Sequence, residues 1–246
     1  MAKGKLYVVG IGPGGMDDMT IRAQKVLEKC SHIAGYTVYC DLVRPFYPEK
    51  EYIETPMMGE EKRVRMALDT AVKGSDVALI CSGDAGVYGL AGLAISMARD
   101  YDDISVQVIP GVTAALSGAA LLGAPLIHDF CVISLSDRLT PMEVIEERLK
   151  AAAKTDMVIV LYNPESRSRA GYLEHACKII LAERGLKTIC GIARNIGRDN
   201  EEYGIMNLYD LKEYKADMFT TVFIGNSSTQ NLGGMMVTQR GYLSEK

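Results

Sequence analysis

The stretch Asp76-Val-Ala-Leu-Ile-Cys81 is apolar from its second residue to its last and runs directly into Ser82-Gly83-Asp84-Ala85-Gly86-Val87-Tyr88-Gly89. A strand that is apolar at every position, rather than at alternate ones, has both faces buried. That is the condition of a strand inside a parallel sheet covered by helices on each side. The small residues that follow bring bare backbone to the strand's carboxyl end, where ligands gather in open α/β sheets. A tight turn that needs glycine for positive φ uses the same residues, so the loop has to be weighed with its fellows.

Two other strand ends carry similar loops. Lys5-Leu-Tyr-Val-Val9 enters Gly10-Ile11-Gly12-Pro13-Gly14-Gly15, and Ser105-Val-Gln-Val-Ile109 enters Pro110-Gly111-Val112-Thr113-Ala114-Ala115. The first satisfies the G-x-G-x-x-G dinucleotide pattern in form only. Such a site needs a helix N-terminus on the last glycine and an acid closing the second strand. Here Asp17 and Asp18 follow the glycines, the next helix is better started at Thr20, and the strand around His32-Ile-Ala-Gly-Tyr36 ends without an acid. A Walker loop fails because Gly15 is followed by Met16 and not by lysine. The ligand these loops suit is small and not phosphorylated, and the only acid among their central residues is Asp84.

The 246 residues are 48% hydrophobic, ample for a large buried core, and the formal net charge of −4 argues against a nucleic-acid surface. No apolar stretch approaches the length of a membrane span. A soluble, intracellular protein is expected. The cysteines at 30, 40, 81, 131, 177 and 190 show no C-x-x-C spacing, and His32, His128 and His175 are scattered, so no protein-bound metal is expected.

Strand and helix alternate through the first half, with strands near 5–11, 32–36, 51–54, 76–81 and 105–109 and helices near 20–30, 60–73, 87–99 and 112–122. The character changes after Gly123-Ala-Pro125. A strand over 128–136, a helix over 141–153, a strand over 156–161, a long helix over 166–184 and strands at 187–194 and 219–224 follow, with a hairpin region before the last. The reading is α/β, with domains at 1–122 and 123–246.

The second half places arginines beside strand ends: Asp137-Arg138, then Tyr162-Asn163-Pro164-Glu165-Ser166-Arg167-Ser168-Arg169, then Arg194-Asn195-Ile196-Gly197-Arg198. For one such segment a helix cap at Ser166 with solvated arginines suffices. Three together favour a face that binds carboxylates, for which the guanidinium fork is suited.

The chain resembles the tetrapyrrole (corrin/porphyrin) methylases, class III S-adenosylmethionine-dependent enzymes. The resemblance runs from Gly10-Ile-Gly-Pro13 through Ser82-Gly-Asp84, Tyr88-Gly89 and Pro110-Gly-Val-Thr-Ala114 to Phe219-Thr-Thr221. Asp84-Ala-Gly-Val-Tyr-Gly89, Leu135-Ser-Asp-Arg138 and Tyr162-Asn-Pro-Glu-Ser-Arg167 are closest to its C17-methylating branch.

The resemblance implies two αβα domains, the first with a mainly parallel and the second with a mixed sheet, a donor site in the cleft between them, and a cytoplasmic homodimer. It assigns Pro13, Ser82, Gly83, Asp84, Val87, Thr113, Ala114, Tyr162, Ala193 and Thr221 to S-adenosylmethionine. The implied reaction is methylation of carbon 17 of a corrin precursor with ring contraction, in cobalamin biosynthesis. Asp84, His128, Asp137 and Asn163 are acid/base candidates for the contraction. Arg138, Arg167, Arg169, Arg194 and Arg198 are candidates for the substrate's peripheral carboxylates. Whether that substrate carries cobalt is open, since the macrocycle would hold the metal. Methylation at another position or on another target, and a non-catalytic nucleotide-binding module, are the alternatives.

Overall fold

The computed structural model describes residues 4–166 and 169–241. The chain forms two compact units that divide between Thr113 and Ala114.

The first unit runs β1 (Lys5–Gly10), α1 (Ile21–Lys29), β2 (His32–Tyr36), α2 (Thr37–Val43), β3 (Glu51–Thr55), α3 (Glu60–Val72), β4 (Val77–Cys81), α4 (Ala91–Ala98) and β5 (Ser105–Ile109). Its five strands are all parallel in the order β3-β2-β4-β1-β5. The continuous apolar run of β4 is split by the pleat. Ala78 and Ile80 join a core with Ala23 and Leu27 of α1 and Cys40 and Val43 of α2, while Val77, Leu79 and Cys81 join another with Val64, Ala67 and Leu68 of α3 and Ala94 of α4. Thr20 caps α1 through a 3.1 Å bond from the Ala23 amide to its hydroxyl.

Two helices of this unit differ from expectation. α2 escapes sequence reading because Thr37-Val-Tyr-Cys40 continues the β-branched and aromatic character of β2, and no side chain caps it. α4 starts at Ala91 and not near 87, because Tyr88 sits at φ +54°, outside helical conformation.

The second unit runs α5 (Ala114–Leu122), β6 (Gly123–Ala124), β7 (Phe130–Ser134), α6 (Met142–Lys154), β8 (Val158–Tyr162), α7 (Tyr172–Leu181), β9 (Ile189–Arg194), β10 (Glu202–Asn207), α8 (Leu208–Leu211), β11 (Thr220–Ile224), β12 (Thr229–Leu232) and β13 (Met235–Thr238). The main sheet has the order β10-β9-β11-β8-β7 and is mixed: β7 and β8 are parallel, and the remaining neighbours are antiparallel. A small sheet, β12-β13-β6, lies apart from it in pairing.

α5, read from sequence as the end of the first domain, groups with the second unit. Its stripe of Ala115, Gly118, Ala119 and Leu122 packs on Ile196, Phe223 and Met236, and a Cβ on Gly118 would lie 2.9 Å from Phe223 Cζ. α7 starts six residues later than the sequence suggests. Gly171, at φ +82°, sets its start, and its amide donates to Glu165 Oε1 at 2.8 Å, so Ser166 is no helix cap. The β12–β13 hairpin was not read from sequence, although its Gly233-Gly234 turn has the two positive φ values that favour a two-residue loop. No helix among the described residues is long and apolar enough to cross a membrane.

Candidate active site

The strand order of the first unit makes β4, β1 and β5 parallel neighbours, so the three loops read from sequence emerge side by side at the carboxyl end of the sheet. They are joined through backbone. The Gly12 amide donates to Gly83 O at 3.1 Å and the Gly83 amide to Gly12 O at 2.7 Å, closing an antiparallel bridge between the first two loops. The third is drawn in where the Thr20 hydroxyl donates to Pro110 O at 3.2 Å. Glycine is required at this junction by space. A Cβ on Gly111 would fall 2.2 Å from Gly83 O, and one on Gly10 would fall 2.7 Å from both Gly111 N and Gly83 O.

Asp84 sits at the centre of that junction. Its Oδ1 accepts from the amides of Gly86 at 2.7 Å and Val87 at 3.1 Å, and its Oδ2 accepts from the Gly111 amide at 2.9 Å. The carboxylate therefore ties the second loop to the third and turns its own loop back on itself. Both carboxylate oxygens are thus taken up by backbone amides. This arrangement favours positioning over proton transfer. Cys81, which ends β4, is no nucleophile candidate, because burial pushes its thiol up to about 11.

In the second unit, Tyr162 at the end of β8, Ala193 near the end of β9 and Thr221 near the start of β11 share one end of the mixed sheet. Register fixes this, with Thr221 opposite Ala193 and Ser134 opposite Tyr162. The Tyr162 hydroxyl accepts from the Ala115 amide at 2.6 Å, in the first turn of α5. Asn163 follows at φ +52° and donates from Nδ2 to Ser134 Oγ at 3.0 Å. Asp137, on the loop after β7, belongs to the same sheet end and accepts from the Tyr172 hydroxyl at 2.8 Å, a bond that raises the tyrosine's pKa.

His128 does not belong with them. It precedes β7, at the opposite end of that sheet, where the Asp129 carbonyl accepts from the first residue of β8. The length of β7 separates it from Ser134 by roughly 15 Å at ~3.3 Å per residue.

The arginines divide as well. Arg194 is compensated within its own unit: its Nε and Nη2 reach Asp217 Oδ2 at 2.9 and 2.8 Å, and its Nη1 lies 3.5 Å from Glu202 Oε2. The Asp217 bond raises its pKa further. Arg198 stacks over the Phe219 ring at 5.2 Å. Arg138 is exposed and makes no ion pair among the described residues. Arg169 keeps a buried Nε without a hydrogen-bond partner. Arg167 lies outside the described residues.

Arg63 was not singled out from sequence. Glu60-Glu-Lys-Arg-Val-Arg65 reads as a solvated charge run. The available signal was spacing, since Arg63 precedes Ala67 and Ala71 at intervals of four and so falls on the apolar stripe of α3.

Comparison with known proteins agrees with this architecture. The family of Tetrapyrrole (Corrin/Porphyrin) Methylases matches residues 5–212, and the chain belongs to that family. The chain is 44% identical over 238 residues, 96% of its length and 99% of the relative's, to the probable cobalt-factor III C(17)-methyltransferase of Salmonella typhimurium. It is 42% identical to the cobalt-factor III methyltransferase of Priestia megaterium over 98% of its own length and 45% of that longer protein. Its fold matches the crystal structure of the methyltransferase CobJ with a TM-score of 0.89 and 32% identity, covering 96% of this chain and 100% of that one. As a member of a methylase family it is an enzyme, and the non-catalytic alternative is set aside.

Proposed function

We propose that the chain transfers a methyl group from S-adenosylmethionine to carbon 17 of a corrin precursor, with ring contraction, in cobalamin biosynthesis. Cobalt-factor III is the preferred substrate, because the relatives named above carry it in their names. Any cobalt then belongs to the substrate.

The observation that carries the reading is the junction where Gly10 and Gly111 close on the Gly83 carbonyl, with no room for a Cβ on either of the two. The residues fit the donor. Loops 10–15, 82–89 and 110–115 contain no lysine or arginine, as a nucleoside without phosphates requires, and they offer backbone groups for the adenine and amino-acid ends. Bound there, the donor would supply an electrophilic methyl on a sulfonium. The chain's part is alignment and exclusion of water. Pro13, Ser82, Gly83, Val87, Thr113 and Ala114 are assigned to hold the donor, with Asp84 keeping the loops in register. Tyr162, Ala193 and Thr221 are assigned to the same ligand by the family resemblance. Asp137 and Asn163 remain the acid/base candidates for contraction, and Arg138, Arg169 and Arg198 the candidates for peripheral carboxylates.

We also propose a homodimer, on the resemblance alone, and a cytoplasmic setting, which the six unpaired cysteines support. Mass spectrometry of the nucleoside that copurifies tests the donor. S-adenosylmethionine or S-adenosylhomocysteine is expected. Absence of both, together with no calorimetric binding of S-adenosylhomocysteine, would remove the donor assignment.

A further inference from the structure

A pocket of about 160 Å³ opens beside the β4 loop, lined by Tyr36, Tyr39, Glu60, Arg63, Ser82 and Tyr88 among others. Arg63 is only 4% exposed. Its Nε donates to Thr55 Oγ1 at 2.9 Å and its Nη2 to Pro56 O at 3.2 Å. Both acceptors are neutral. No carboxylate lies within ion-pair distance of it among the described residues, even though Glu60 lines the same pocket one turn earlier. These two bonds engage Nε and Nη2 and not Nη1. A guanidinium taken out of water without a counter-charge is costly, and a ligand anion would offset that cost.

Resting on the function proposed above, we infer that this pocket is a subsite for one peripheral carboxylate of the tetrapyrrole, with Arg63 as its partner. Size excludes the whole substrate, since pockets that enclose a complete small ligand run to roughly 300–1,000 Å³. A short carboxylate arm fits, leaving the ring outside against Tyr88 and Met57, both of which are exposed. Position separates this carboxylate from the donor's own. The lining comes from β2, α2, the β3–α3 segment, α3, β4 and its loop; it shares Ser82 with the donor set but takes nothing from the loops after β1 and β5. In the sheet order β3-β2-β4-β1-β5, that puts the pocket across β4 from the glycine junction. The partly exposed Glu60 would oppose an incoming carboxylate and so tune its affinity.

The test is a titration of the full chain with cobalt-factor III, followed by visible absorption, alongside calorimetry with S-adenosylhomocysteine. Arg63→Met should weaken tetrapyrrole binding about 10- to 100-fold, the range for losing a charge-assisted hydrogen bond. Arg63→Lys should fall between, and both variants should keep wild-type affinity for S-adenosylhomocysteine. Glu60→Gln, in the exposed first turn of α3, should tighten tetrapyrrole binding a few-fold, and it stands as the test if Arg63→Met does not fold. Unchanged tetrapyrrole binding in a folded Arg63→Met would overturn the subsite while leaving the methyltransferase reading intact. Loss of S-adenosylhomocysteine affinity instead would overturn it by assigning the pocket to the donor, and weaker binding in Glu60→Gln would assign it to a cation. Failure of the wild type to bind cobalt-factor III would overturn the substrate reading and the subsite with it.

Discussion

Gly111→Ala is the sharpest single perturbation of the loop junction. The new Cβ would fall 2.2 Å from Gly83 O and 2.7 Å from both Gly10 C and Gly10 O, where real contacts do not come below about 3.0 Å. The loops must therefore part by at least about 0.8 Å. Every atom in the way is backbone, so no side chain can swing aside. Overpacking of this kind costs about 1–3 kcal/mol, and in a chain of this size that lowers a melting temperature by roughly 3–10 °C. The shift also strains the Gly111 amide's bond to Asp84, which sets the position of the second loop. Losing or straining a backbone hydrogen bond at a ligand site is worth about 0.5–1.5 kcal/mol, so affinity for S-adenosylhomocysteine should drop roughly 2- to 10-fold. The assays are calorimetric melting and isothermal titration, with Gly92→Ala as the control. A Cβ at Gly92, in α4, meets nothing within 4 Å, and the helix should gain about 0.5–1 kcal/mol. If Gly111→Ala matched wild type in both melting and affinity, the crowding described here would not exist in the folded protein.

Three further outcomes are expected. Burial alone would raise the Asp76 carboxyl, but hydrogen bonds from Lys29 Nζ and the Lys5 amide outweigh it and hold the pKa below the usual carboxylate range. A depressed pKa means stability that is present above the unfolded value, ~3.9, and lost as pH falls through the folded one. The first unit should therefore lose stability below about pH 4, and Asp76→Asn should be less stable than wild type at pH 7 but not at pH 2, as urea titrations at the two pH values would show. Tyr162→Phe removes the acceptor of the Ala115 amide and should cost the second unit about 1–2 kcal/mol, read from its unfolding transition. Arg138→Ala should raise the tetrapyrrole KM about three- to tenfold with donor affinity unchanged, whereas Arg194→Ala should act mainly on stability, because it leaves Asp217 and Glu202 without their partner; steady-state kinetics beside melting separates the two.

Much of this was legible from residue order because the first unit is built locally. β4, and β1 after its first residue, announce themselves by continuous apolar runs, and the turn chemistry at Gly12, Gly83 and Gly111 marks the strand ends that matter. The sequence does not reveal which strand ends become neighbours. The convergence depends on β1 lying between β4 and β5, a choice made by tertiary packing. Asp84 was legible as an acid in a loop but not as the acceptor of three amides, two of them in its own loop and one twenty-seven residues away. The end of the sheet that His128 occupies was not legible, because proximity to a strand in sequence does not fix it. The ion pairs of Arg194 were not legible because its partners, Asp217 and Glu202, come from elsewhere in the chain. Arg63 was hidden among charged neighbours and was separated from them only by its helical phase.

The central claim, that this chain methylates carbon 17 of a corrin precursor, is tested most directly by one labelling experiment. Purified protein is given cobalt-factor III and S-adenosylmethionine carrying a ¹³C-methyl group, and the tetrapyrrole product is examined by mass spectrometry and by carbon NMR after cobalt is removed. The account predicts a single new labelled methyl, bonded to carbon 17. Label at a different ring carbon, or S-adenosylmethionine bound but no methyl delivered to the macrocycle, would contradict it.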